Sequence, residues 1–267
     1  MSFIYGNNTS VSPITGGVVV TSYLSAGSGT HNLNANTKLV EVYLWGSGAG
    51  GDGGATNAAG TNAGSAGSTA HIKVPVSFLG GAGASVSYTV GAGGAGGISG
   101  TTIHPGSNGN ITSFGYISVP GGIAVSNGFD VPNYQACART SAGQGGGVTS
   151  QRQVFFIQGT GGGNGNSGAV YAGDGTTILI AGAIKGADGN GNPGANGNNG
   201  FPTYMLGGTG GAGGGNASIA GDVGGNGGAG GFPGAGGGAG GKGDSISTTG
   251  GAGGNGANGA IYVIEYL

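Results

Sequence analysis

The chain has 267 residues, and 75 of them are glycine, about four times the usual share of roughly 7%. Charged residues make up 5%, and 8 acids against 6 bases leave a net charge of −2. This composition excludes a basic nucleic-acid-binding surface, a salt-bridged helical bundle and a highly charged disordered tail. With 8 prolines and no glycine at every third position throughout, collagen is excluded as well. A plain flexible linker does not fit either, because 36% of the residues are hydrophobic and they come in blocks.

In chain order, residues 1–36 are polar and turn-rich, with a strand expected over 17–24. They are read as a lead-in or attachment segment. The strongest strand signal is KLVEVYLW at 38–45, where both alternating rows are largely apolar, β-branched or aromatic. That pattern suits a strand covered on both faces. Further strands are expected over 69–76, 84–90 and 111–119, with weaker candidates at 151–158 and 176–181. The block AIYVIEYL at 260–267 closes the chain as a last strand. No window has a 3.6-residue period, and glycine inside a helix costs about 1 kcal/mol relative to alanine. No α-helix is expected. The N-terminus MSFIYGNNTS lacks the basic flank and apolar run of a leader, no run approaches a membrane span, and Cys137 is the only cysteine. Synthesis in a cytoplasm is expected.

Between the strands lie glycine tracts with a period of three. Residues 207–215 read GGT GGA GGG, 221–232 GDV GGN GGA GGF, 237–242 GGA GGK and 250–258 GGA GGN GAN. Residues 191–200 read GNP GAN GNN G, and shorter fragments stand at 50–55 and 93–98. A polyproline-II helix has three residues per turn and no internal hydrogen bonds. Glycine on two of its three rows lets neighbouring backbones touch, while the third row carries Asn, Ala, Thr, Lys or Phe. Buried N–H and C=O groups must then pair between helices. Ordered rods stacked as a bundle are therefore expected. The fold class is all-β plus polyproline-II: β-sandwich-like strands with a layered glycine bundle.

Four segments carry a family resemblance: LVEVYLWGSGAGGDGG (39–54), VSYTVGAGGAGG (86–97), GSNGNITSFGYISVPGG (106–122) and GGAGGNGANGAIYVIEYL (250–267). Together they resemble the glycine-rich domains of bacteriophage tail proteins, and the order of blocks is similar to that of the distal tail-fibre adhesins of T-even-like phages. The resemblance implies a glycine-helix scaffold that presents variable loops to a host outer-membrane protein or glycan. It implies a virion location, on tail or tail fibre, contact with other tail or fibre proteins through residues 1–36, and either homotrimers or a single copy capping a trimeric shaft. The expected domain is 37–267, with a loop-bearing insert at 123–206, where the family blocks thin out.

The glycine-rich motifs do not carry chemistry. Gly46-Ser47-Gly48-Ala49-Gly50-Gly51 follows a strand, but no helix follows it to face a pyrophosphate. Residues 236–242 end in Gly-Lys, yet Gly243 stands where a phosphate loop needs Ser or Thr. His31, His71 and His104 have no ligand at metal spacing, and no nucleophile elbow occurs. No catalytic residue, metal site or cofactor is expected, and no nucleic-acid or membrane partner. Asp52, Asp188, Asp222 and Asp244 sit in glycine tracts and are read as solvated groups or turn caps. Aromatic and Arg side chains concentrate in the insert, and such residues are enriched at recognition surfaces. The candidate receptor-binding residues are Phe129, Asp130, Tyr134, Arg139, Arg152, Tyr171, Phe201 and Tyr204. The competing expectation is a structural virion component (decoration, collar or baseplate protein) with no receptor-binding role.

Overall fold

A computed structural model describes residues 17–124, 162, 165–167, 170–171, 178–200, 207–244 and 248–267. Ten strands are formed among them, and the helical content is one 3-10 turn, Val76–Leu79. One sheet takes the order β1 (Val18–Tyr23), β10 (Ala260–Tyr266), β3 (Leu39–Trp45), β4 (Thr69–Pro75). A second takes β2 (Gly27–Asn32), β5 (Ser85–Val90), β6 (Thr112–Phe114), β7 (Ile117–Val119). Neighbours in both sheets are antiparallel. A short pair, β8 (Val170–Tyr171) with β9 (Ile178–Ile180), stands apart.

The two larger sheets pack face to face. Val40, Val42, Leu44, Ile261 and Val263 from the first meet Val86, Val90, Phe114, Ile117 and Val119 from the second. Val42 and Leu44 pair with Val263 and Ile261 in register, so the period-two pattern sends all four to one face. The other face of β3 and β10 holds Tyr43, Trp45, Ala260 and Tyr262, with Phe232 against them. This is why both rows of 38–45 read as apolar: β3 is covered on both sides.

The residues expected as one strand over 111–119 form a hairpin instead. Gly115 adopts φ +56°, and that turn divides β6 from β7. The apolar residues flanking the turn keep the alternation of a single strand, so periodicity alone does not expose it. β2 was not expected as a strand. GSGTHN has no apolar alternation, and it is held by pairing with β5 from Gly27–Val90 to Asn32–Ser85. Residues 18–32, within the expected lead-in segment, thus supply an edge strand to each sheet.

The glycine tracts are not strands, and their hydrogen bonds join tract to tract with a repeat of three. In residues 224–232 the N–H groups of Gly224, Gly227 and Gly230 donate to Thr249, Ala252 and Asn255. Those of Gly225, Gly228 and Gly231 donate to Gly215, Ala212 and Thr209. The carbonyls of Asn226, Ala229 and Phe232 accept from Gly194, Gly197 and Gly200. Each row of the triplet therefore has its own neighbour. The tracts order into layers by these bonds: 192–200, 224–232, 249–259 and 91–100 lie side by side above 183–189, 208–217, 233–243, 46–55 and 104–110. Residues 60–67 and 121–124 lie beneath.

The approach is close enough to demand glycine. A Cβ on Gly228 would sit well inside 3.0 Å of the Ala195 carbonyl, and one on Gly254 would meet the Gly228 carbonyl in the same way. Backbone takes the place that side chains fill in the sandwich.

Candidate functional site

The expected receptor-binding residues Phe129, Asp130, Tyr134, Arg139, Arg152, Phe201 and Tyr204 lie outside the described residues. Of Tyr171, the backbone is placed in β8, opposite Ile178. What is described is how the scaffold holds the ends of these segments. At one end of 125–161, the Ser65 N–H donates to the Ile123 carbonyl; at the other, the Gly162 N–H donates to the Gly64 carbonyl. Both ends thus rest on adjacent residues of one tract. Residues 201–206 are framed likewise: Gly200 donates to Phe232 and Gly208 to Pro233. Phe232, which accepts from Gly200, itself packs on the Trp45 cluster.

Two glutamates organise the titratable groups of the sandwich. Glu41 lies on the outer face of the first sheet, where one carboxylate oxygen accepts from the Tyr43 hydroxyl at 2.7 Å and meets His71 Nε2 at 2.6 Å. The other accepts from the Tyr266 hydroxyl at 2.6 Å. Lys73 Nζ stands 3.7 Å from it and 4.4 Å from the centre of the Tyr266 ring. The His71 ring stacks on Tyr43 at 4.2 Å. Burial pushes the Glu41 carboxyl up, but hydrogen bonds from Tyr266, Tyr43 and His71 outweigh it and hold it at about 2. The bond to Glu41, with burial second, pushes the Tyr266 phenol up to about 12. A carboxylate so firmly ionised does not serve as a general acid near neutral pH.

The second glutamate, Glu265, is inside the sandwich with His31, at 2% and 5% exposure. The Tyr23 hydroxyl bonds His31 Nδ1 at 2.7 Å, and His31 Nε2 bonds the Glu265 carboxylate at 3.0 Å. In the neutral ring this network assigns the proton to Nε2. The Thr37 hydroxyl and the Asn34 N–H complete the shell. Burial pushes the Glu265 carboxyl up, yet the bonds from His31, Thr37 and Asn34 hold it below its usual range. The order hydroxyl, imidazole, carboxylate looks like a nucleophilic relay. Its chemistry is the opposite of one: burial, then Tyr88 and Glu265, push the Tyr23 phenol up. The relay instead ties the sheets together, since Tyr23 and Glu265 belong to one and His31 to the other. Sequence reading missed it because His31 and Glu265 stand 234 residues apart.

Three of the four aspartates expected as solvated groups or turn caps, Asp52, Asp188 and Asp244, instead accept hydrogen bonds from other tracts. Asp52, 2% exposed, accepts from the Asn62 N–H and side chain, the Thr61 hydroxyl and the Gly106 N–H. Asp244 accepts from the Gly221 N–H and the Thr248 hydroxyl, and Asp188 from the Asn216 N–H. Among the described residues no His, Cys, Asp and Glu group has a metal-holding arrangement, and no helix is long and apolar enough to cross a membrane.

The exposed apolar side chains include an aromatic pair at the end of the sandwich away from the bundle. Phe78, in the turn after β4, is 53% exposed and Tyr116, in the β6–β7 turn, is 87% exposed. Their rings meet edge to face at 6.5 Å. β1 begins at the same end, with Val18 opposite Tyr266.

No curated protein matches the chain. A family model described as a glycine-rich domain matches residues 24–266. The match takes in the strands from β2 onward and the glycine tracts, and the chain belongs to this glycine-rich domain family.

Proposed function

We propose that this protein is a phage tail-associated receptor-binding protein, a fibre-tip adhesin. Its glycine tracts are polyproline-II helices, and its insert loops meet a bacterial surface glycan or outer-membrane protein. The observation that carries this reading is the mounting of residues 125–161, whose flanking residues rest on Ser65 and Gly64 of one packed tract. A segment that leaves and rejoins a rigid scaffold at one place is free to vary without disturbing the scaffold. Binding functions concentrate on such segments, and a rigid mount lowers the ordering cost on contact. The three-residue hydrogen-bond repeat supports the polyproline-II assignment. Function here is binding without chemistry. The candidate contacts remain Phe129, Asp130, Tyr134, Arg139, Arg152, Tyr171, Phe201 and Tyr204, and several copies on one virion, as in a homotrimer, add avidity.

The Phe78–Tyr116 pair favours docking at the sandwich end, where an exposed aromatic patch marks an interaction surface. The proposed contact with other tail or fibre proteins is residues 1–36, whose strand β1 begins at that end. A structural virion component would use the same end, so the insert decides between the two readings. The test replaces residues 125–161 by a short glycine linker. The adhesin reading expects a folded variant that no longer competes with virus for adsorption to host cells, whereas the intact protein does. A variant that blocks adsorption as well as the intact chain, or an intact chain that blocks nothing, sinks the reading.

A further inference from the structure

The upper layer of the bundle has a regular surface chemistry that the loop reading does not use. Its third-row positions carry Asn196 and Asn199 on one tract, Asn226 on the next, and Asn255 and Asn258 on the third. Each turns its side-chain oxygen sideways to accept a backbone N–H of the adjacent tract. Asn196 and Asn199 accept from Ala229 and Phe232, Asn226 from Ala252, and Asn255 and Asn258 from Gly96 and Gly93. An amide whose oxygen is held this way has its NH2 group left over, with two donor hydrogens. Asn196, Asn199, Asn226 and Asn255 are exposed, and no described residue accepts from their Nδ2 atoms.

We propose that this face binds a neutral polysaccharide, with the asparagine amides donating to its hydroxyl and ring oxygens. Asn196 and Asn199 stand three residues apart on one tract, about 9–10 Å of extended chain, and Asn226 and Asn255 follow on the next two tracts. Donors spaced over several such steps match the repeating acceptors of a polymer. Between the amides stand Ala229 and Ala252, small enough to leave the face flat, and Phe232 closes it at the sandwich end. No charged side chain occupies these positions. A nucleic acid or another polyanion needs Lys and Arg to displace its counterions, and a protein partner needs buried aromatic or Arg anchors. A neutral, hydroxyl-rich chain needs neither. The proposal is separate from the receptor reading, because deleting residues 125–161 removes none of these asparagines.

The scaffold role and the binding role of each amide are separable by one atom. In Asn→Asp the side chain still accepts the neighbouring N–H, now as a charged acceptor, but the donor group is gone. The full chain and an N196D/N226D/N255D variant are run through native gels cast with dextran or with mannan, and through a gel with neither. Retardation of the unmodified chain in a polysaccharide gel is expected, and about a tenfold weaker retardation of the variant, as the loss of a few net hydrogen bonds implies. N108D makes the same change off this face, at an amide that accepts from the Ala124 N–H, and is expected to behave as the unmodified chain. No retardation in either polysaccharide, or equal retardation of chain and triple variant, overturns the proposal. If the triple variant fails to fold, the unmodified protein decides: the side-chain NH2 signals of Asn196, Asn226 and Asn255 are followed by NMR as dextran or mannan is added. Selective shifts support the proposal, and unmoved signals overturn it.

Discussion

The sandwich and the glycine bundle solve the same problem in opposite ways. In the sandwich, side chains such as Val42, Leu44, Phe114 and Ile261 fill the space between two sheets, and their backbones pair within each sheet. In the bundle, glycine removes the side chains, and the backbone itself is the packing surface. Hydrophobic burial stabilises the first region. The second has little apolar surface to bury and rests on hydrogen bonds that run to several neighbours from every triplet, along with close backbone contacts of the Cα–H···O kind. Ordering glycine costs more backbone entropy than ordering any other residue, so the bundle requires nearly complete satisfaction of its N–H and C=O groups. Asparagine completes that network at the third row, where the side-chain oxygen stands in for a missing carbonyl.

The contrast predicts unequal tolerance to added and removed volume. Gly228→Val should be the most damaging change, because its first side-chain carbon would overlap the Ala195 carbonyl and no flexible group can yield. Overpacking against side chains costs typically 1–3 kcal/mol; against backbone held on several sides the loss should exceed about 4 kcal/mol, a range reserved for exceptional lesions. Thermal unfolding checks this, with Ala229→Ser on the neighbouring third-row position expected to shift stability by less than about 0.5 kcal/mol. Equal tolerance at 228 and 229 would mean that the tract is not packed as described. Leu44→Ala probes the other region by removing volume: Leu44 is fully buried, and the cavity should cost about 3–4 kcal/mol, read as a lower denaturant midpoint.

How much of this was legible in the sequence depends on which atoms do the packing. The sandwich strands β3, β4, β5 and β10 were visible because alternating side chains make their core. The triplet repeat was visible because glycine must recur wherever backbones touch. Gly115 was not legible as a turn within ITSFGYISV, since glycine is everywhere in this chain and loses its value as punctuation. β2 was hidden because its residues are polar and only the pairing with β5 makes them a strand. The contacts of Glu41 and Glu265 were hidden by distance along the chain, as was the use of asparagine oxygens between tracts. The insert residues stood out by composition, and what composition supplies there is a list of side chains, not their arrangement.

The sheets are also joined by polar groups, and these respond to pH. Glu265→Gln keeps the size but replaces the charged acceptor that holds His31, Thr37 and the Asn34 N–H together. Removing one partner of a buried ionic network costs about 3 kcal/mol or more. The folded-state carboxyl is held below its ordinary value of 4.5, so its contribution is fully present above that pH. It is lost as pH falls through the lowered value. The unmodified protein should therefore lose stability on acidification below about pH 4.5, and the Gln variant should lose less over the same window. Glu41, held at about 2, contributes with the same sign, so some acid sensitivity should survive in the variant. Parallel pH–stability curves for the two proteins would remove Glu265 from the tie between sheets.

The smallest effect should come from the bundle surface. Lys185 Nζ meets Asp188 at 2.7 Å, with the aspartate side chain 57% exposed. Exposed pairs of this kind contribute little, because water already solvates both charges and two side chains must be held still. Asp188 has a second task, accepting the Asn216 N–H where two tracts meet, and that bond is the largest single cause of its lowered pKa. Lys185→Met should therefore change stability by less than about 0.5 kcal/mol, while Asp188→Ala, which strips a tract junction of its acceptor, should cost about 1 kcal/mol. Chemical denaturation of the two variants ranks them, and 0.5 M salt should erase the Lys185 effect but leave most of the Asp188 one. If the ranking reverses, side-chain charge rather than backbone satisfaction holds that edge of the bundle, and the contrast between the two regions fails at its margin.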